Sequence, residues 1–153
     1  MHLTAQKRLS QIGWYEWVSL PQLGLPAILA KIDTGAKTSA LHAYRIETVE
    51  KKGATFVSFS LHPERHSIKS VDCEAELFDR RVVMDSGGHV EERYVIKTLL
   101  VLGEQTWPIE VTLTNRDTMS FRMLLGRTAL RNRFIINPAK QCLMGKNKKK
   151  RQS

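Results

Sequence analysis

The sequence predicts an all-β, barrel-like domain that ends in a short C-terminal helix. Three observations carry that expectation. Many short runs are apolar or alternate in polarity, turn residues punctuate nearly all of them, and helical periodicity is scarce. The length, 153 residues, suits one domain with a real core.

Residues 1–10 are polar and basic and read as a flexible N-terminus. Residues 12–20 include Trp14, Tyr15, Trp17 and Val18, a strand-like composition. Pro21, Gly24 and Pro26 supply turn chemistry, so a hairpin leads into the apolar run Ala27-Ile28-Leu29-Ala30. Lys31 interrupts that run and Ile32 resumes it. Residues 43–49 read as a strand, Lys51-Lys52-Gly53 as a hairpin turn, and residues 54–61 as the returning strand, with Val57, Phe59 and Leu61 on one face.

Residues 62–70 are polar and read as a loop. Residues 71–84 read as one or two strands, broken near Asp79-Arg80-Arg81. Asp85-Ser86-Gly87-Gly88 is the strongest turn signal in the chain. Residues 93–102 and 106–113 form a second hairpin across Gly103-Glu104. Residues 128–133 suit one or two helical turns. Phe134-Ile135-Ile136 is a short strand, stopped by Asn137-Pro138. The domain is expected over residues 11–144, followed by a basic, disordered tail at 145–153.

The formal net charge is +9, and five of the positive residues, Lys146, Lys148, Lys149, Lys150 and Arg151, crowd the last eight positions. The tail reads first as a solvated end; weak attraction to RNA or to an acidic partner is the functional alternative. Nothing else indicates nucleic acid. Cys73 and Cys142 make no disulfide framework. No signal segment opens the chain and no run reaches the length of a membrane span, so a cytoplasmic protein without a membrane partner is expected.

The stretch that promises chemistry is Asp33-Thr34-Gly35-Ala36, at the end of the apolar run. A core strand delivers a carboxylate into a tight turn. Thr34 can bond locally through its hydroxyl, and Gly35 lets the backbone turn where a side chain would clash. A strand-ending Asx-turn is the plain alternative. A second stretch, Phe121-Arg122-Met123-Leu124-Leu125-Gly126-Arg127-Thr128-Ala129-Leu130, stands much later.

Together the two stretches resemble the retropepsin-type aspartic proteases. That family carries Asp-Thr/Ser-Gly-Ala after a core strand, and later two apolar residues, Gly, often Arg, and a short helix. The longer strings, Asp33 to His42 and Arg122 to Leu130, are similar to a bacterial group of retropepsin-like proteins often labelled ATP-dependent zinc proteases. The resemblance covers about residues 12–138. It implies an acid-protease barrel in which Asp33 is catalytic. Thr34, Gly35 and Ala36 shape the loop, and Leu124, Leu125, Gly126 and Arg127 support it from beneath. Lys37, Thr38, Ser39, His42 and Arg122 are candidate substrate contacts.

Peptide hydrolysis by carboxylates needs two of them around one water, sharing a proton. Asp79, Asp85 and Asp117 lack the Thr-Gly context. The economical solution is a two-fold homodimer that contributes Asp33 twice. The resemblance also implies a flap, with two candidate hairpins: one at Lys51-Gly53, the other at Ser86-Gly88. It implies an extended peptide or protein substrate, and the excess of Lys and Arg favours an acidic one. In the bacterial group, neighbouring genes often encode an ATP-grasp ligase that adds glutamates, which suggests glutamate-rich tails as substrates.

The label's zinc and ATP find little support in the residues. His-Glu-x-x-His is absent. His62, Glu64, His66 and Cys73 fall within twelve residues but read as an ordinary surface loop, so no metal ligand is assigned. Gly35-Ala36-Lys37-Thr38-Ser39 lacks the first glycine of a phosphate loop. No cofactor is expected. Two other classes stay open: a non-catalytic peptide-binding module with a protease-like fold, and the zinc-dependent hydrolase that the label names.

Overall fold

Alternating burial begins with the first strands. β1 (Ser10–Ile12) buries Ile12, and β2 (Tyr15–Leu20) buries every second residue, Glu16, Val18 and Leu20. The computed structural model describes residues 9–64, 67–84, 87–115 and 120–145. A 3-10 turn over Pro21–Leu23, closed by Gly24 in the left-handed conformation, reverses the chain into β3 (Leu25–Ile32). β2 and β3 pair antiparallel, the expected hairpin.

β4 (Ser39–His42) follows the Asp33 turn and is buried at all four positions. β5 (Tyr44–Lys51) and β6 (Ala54–Leu61) make the second hairpin. Its two-residue turn places Lys52 at φ 49 and Gly53 at φ 78, the left-handed pair that matches the twist of the strands it joins. β7 (Val71–Met84) and β8 (Val90–Leu102) form a long hairpin, and β9 (Gln105–Thr114) returns across Gly103-Glu104. β10 (Met123–Leu125), a single helical turn α1 (Arg127–Leu130) and β11 (Phe134–Ile136) complete the order.

Nine strands join in the order β2-β3-β10-β4-β9-β8-β7-β6-β5, and Ser19 of β2 also pairs with Val101 of β8. That contact closes a ring from β2 round to β8. β7, β6 and β5 continue outward from β8 as a wing. Closure covers the β2 edge that an open sheet would expose, and β5 stays at the sheet's other edge. The hydrophobic core includes Ile28, Leu41, Ile96, Leu100 and Met123 of the ring and Leu61 of β6, all fully buried. Each such side chain contributes about 1.5–3 kcal/mol.

Two details differ from the sequence-based expectation and a third adds to it. Ser39–His42 is a strand of its own, flanked by β10 on one side and β9 on the other. β7 does not break at residues 79–81. It bulges at Phe78, since Leu77 pairs with Ile96 and Asp79 with the adjacent Val95; the extra residue bends the strand and lets it continue. The chain after β11 is also packed along the barrel. The Trp14 N–H donates to Lys140 O at 2.8 Å, and the Cys142 N–H to Tyr15 O at 2.9 Å. The tip residues Asp85 and Ser86 lie outside the described residues. So do residues 1–8 and 146–153, the bulk of the expected flexible start and basic tail.

Residues 137–145 are held by the carboxylate of Glu16, which is fully buried. Its Oε2 accepts the N–H of Gly13 at 2.7 Å and of Leu143 at 2.8 Å, and its Oε1 accepts the N–H of Met144 at 3.0 Å. β1 runs parallel to β11, with Ile12 beside Ile136. Ser10 and Met144, from opposite ends of the described chain, border one hollow.

Candidate active site

β3 ends at Ile32 and hands Asp33 to the turn. The Asp33 N–H is tied to Leu125 O at 2.8 Å, so β10 fixes the turn where it leaves the sheet. β10 runs parallel to β3, with Leu125 beside Ile32, and antiparallel to β4, with Leu124 beside Ala40. It therefore passes beneath the loop that joins β3 to β4. The Asp33 Oδ1 accepts the Gly35 N–H at 3.1 Å, and the Ala36 N–H reaches Asp33 O at 3.2 Å. This is an Asx-turn. Its carboxylate is half-buried and forms no ion pair among the described residues, and Thr34 and Gly35 are exposed beside it.

Gly126 shows why the second stretch needs glycine. A Cβ there would lie 2.7 Å from the Thr38 carbonyl carbon and 3.0 Å from Ala36 O. The backbones touch with no room between them. Its N–H donates to Ser39 Oγ at 3.1 Å. Arg127 closes the loop from the other side: its N–H meets Ala36 O at 2.8 Å and its Nη1 meets Thr34 O at 3.0 Å. Thr128 adds its hydroxyl and its N–H to Lys37 O, at 2.9 and 3.1 Å. The first turn of α1 and the Asp33 loop thus form one hydrogen-bonded unit.

The candidate contact residues separate by position. Lys37 is exposed and Thr38 half-buried, and both line a cavity beside the loop. Ser39 is fully buried and His42 is 4% exposed. Both belong to β4, where Ser39 serves Gly126 and the His42 N–H meets Arg122 O at 2.8 Å. Their burial sets them in the core and not at an open mouth. Arg122 is half-buried next to β10. Sequence reading missed Arg81, Lys97 and Glu110, which line the same cavity as Lys37 from β7, β8 and β9. Charged residues inside otherwise apolar strands were the available signal.

The possible metal ligands are engaged elsewhere. The His62 ring stacks on Tyr44, and its Nδ1 lies 3.1 Å from Lys69 O. The Cys73 thiol is buried and donates to Leu23 O. Burial and the neighbouring Asp72 push it up to about 11. His66 lies outside the described residues. Among the described residues no three His, Cys, Asp or Glu side chains gather. Among the described residues no helix is long and apolar enough to cross a membrane.

Comparison with known proteins agrees with the fold. Residues 11–147 match the family described as RimB-like, retropepsin-like aspartic endopeptidase RimB. The chain belongs to that family. A RimB-like domain of this kind also resembles a crystal structure of a Legionella pneumophila protein of unknown function, with TM-score 0.75 and 29% identity over 88% of this chain and 98% of that one. The sequence is 50% identical over 135 residues to a probable alpha-L-glutamate ligase of Desulfotalea psychrophila, and 45% identical over 135 residues to one of Shewanella halifaxensis. In each, 88% of this chain is matched, but only 29% and 30% of the relative. The RimB-like chain therefore spans under a third of these relatives' length. Their names speak of ligation and not of a zinc protease.

Proposed function

We propose that the protein is an aspartic-type peptidase in which Asp33 acts on the attacking water and a second copy of the chain supplies the second carboxylate. One observation carries the reading: an Asp33 carboxylate with no ion pair among the described residues stands on a glycine turn that β10 and Arg127 hold in place. Paired carboxylates divide the work. The ionised member removes a proton from water, and the protonated member donates to the carbonyl oxygen. Hydrogen bonds from Arg127 and Thr128 to the loop backbone would keep the turn in place while the proton moves.

The flap in this reading is the β7–β8 hairpin. Arg81 and Lys97 on that hairpin share a cavity with Lys37 and Thr38. Val82, Met84 and Val90 near its tip are 62–70% exposed, an apolar surface suited to closing over a peptide and excluding water. The β5–β6 turn at Lys52-Gly53 borders a separate hollow.

The substrate would be an acidic, glutamate-containing peptide or protein tail. The net positive charge supports this, and so does the kinship with chains named as glutamate ligases. A hydrolase sharing ancestry with glutamate-ligase chains would remove what such ligases add. The purified protein should cleave glutamate-extended peptides faster than unextended ones, and Asp33→Asn should cut turnover at least about a hundredfold. Equal cleavage of both removes the substrate assignment, and undiminished turnover by D33N removes the mechanism. Sedimentation should show a dimer under assay conditions.

The ligase names also favour a second reading, a module that grips a glutamate tail without cutting it. That protein would release no product, and the Asp33→Asn change would leave its affinity for acidic peptides unaltered.

A further inference from the structure

The Asp33 loop has a charged neighbour. A cavity of about 610 Å³ opens beside it, bordered by Lys37, Thr38, Arg81, Lys97, Glu110 and Thr128. Resting on the peptidase reading above, we propose that this cavity is the subsite for an acidic side chain of the peptide, with Lys37 and Lys97 as its specificity-determining cations.

The charge is unbalanced in a particular way. The three cations face one carboxylate, and Arg81 already holds it: Nη2 lies 2.7 Å from Glu110 Oε1. Arg81 also donates from Nε to Asp79 Oδ2 at 2.8 Å. Arg81 is therefore shared between Glu110 and Asp79, and its charge is already engaged where it borders the cavity. Lys37 and Lys97 make no ion pair among the described residues. Lys97 is steered by an aromatic face: its Nζ lies 4.7 Å from the centroid of Phe78. Phe78 is the extra residue of the β7 bulge. The irregularity thus places a ring beneath the ammonium and holds it at the rim.

A carboxylate entering here would meet two cations that form no ion pair among the described residues, since Glu110, the cross-strand neighbour of Lys97, is held by Arg81. Glutamine, the same shape without the charge, would gain far less. The position limits which residue of a substrate can reach. Lys37 lies four residues beyond Asp33, and four residues of extended chain span at most roughly 14 Å. The acidic side chain recognised here therefore lies within about four residues of the bond to be cut.

The test uses the non-hydrolysing D33N protein and fluorescein-labelled neutral peptides carrying one glutamate, moved position by position, each with a glutamine counterpart. Fluorescence anisotropy reads affinity at low and at physiological salt. At one position glutamate should bind about tenfold tighter than glutamine, the sum of two partly exposed charge pairs. That preference should shrink with salt and vanish in D33N/K37Q/K97Q. Placing Lys97→Glu in D33N should turn the preference toward a lysine peptide. Glutamate and glutamine binding alike at every position, or not at all, overturns the subsite, as does a preference that survives loss of both lysines. Failure of the peptidase reading is separately visible. If the native enzyme cleaves nothing while the D33N preference holds, hydrolysis falls and the subsite stands.

Discussion

Replacing Glu16 probes the element that sequence alone did not reveal. Three backbone N–H groups, of Gly13, Leu143 and Met144, converge on its two carboxylate oxygens at 2.7, 2.8 and 3.0 Å. In Glu16→Gln one oxygen becomes an NH2 group. If the amide oxygen takes the Oε2 place, the Met144 N–H faces a donor; in the other orientation two N–H groups do. At least one charge-assisted bond is lost and one buried donor is left unmet, at about 1–2 kcal/mol for each of the two effects. E16Q should therefore cost about 2–4 kcal/mol. Glu16→Ala, which removes both acceptors, should cost about 3–6 kcal/mol. For a domain of this size each kcal/mol moves Tm by about 2–4 °C. Thermal unfolding followed by circular dichroism should place E16Q roughly 5–15 °C below the native protein. Amide exchange at Leu143 and Met144 should speed up more than exchange in β8. The effect should reach the site as well, because the Trp14 N–H holds Lys140 O and Trp14 O accepts the N–H of Ile32, the residue before Asp33. An E16Q protein melting within about 2 °C of the native one would refute the role given to the carboxylate.

Asp33→Asn should keep the fold, since the amide oxygen can still accept the Gly35 N–H, while kcat falls about 10²–10⁴-fold; a drop in Tm of similar size to that of E16Q would instead make Asp33 a structural residue. Gly126→Ala drives a methyl into the Thr38 backbone and should cost about 1–3 kcal/mol by overpacking, measured by urea denaturation, with turnover reduced as the loop shifts. Cys73 should resist alkylation at pH 8 in the native protein and react once the chain is unfolded. Folding raises this thiol from its ordinary 9.0 to about 11, so its contribution is complete below pH 9 and is lost as pH rises from 9 to 11. The pH dependence of stability over that window should flatten in Cys73→Ala.

Hairpins were legible wherever one face met the core and turn residues marked the ends, as at β2–β3 and at Lys52-Gly53. The Asp33 turn and the Gly126 stretch were legible because their residue types answer local demands: a carboxylate that accepts its own turn's N–H, and a glycine where backbones touch. β4 was not. Ser39 and His42 look like turn or cleft residues, yet a central strand buries both of its faces, and the alternation that reveals a half-buried strand is absent. Glu16 was hidden for a related reason, because two of its three partners lie about 127 residues away in an irregular segment. The charged cavity needed register. Lys97 and Glu110 become neighbours once β8 and β9 pair, and Arg81 joins them only after the Phe78 bulge turns its strand.

The side-by-side run of β1 and β11 fixes the traffic of the backbone. Entry near Ser10 and departure near Met144 share one small region of surface. A body whose two leads emerge together can be spliced into a larger polypeptide much as an appliance is wired through a single socket. The host chain need not stretch around it.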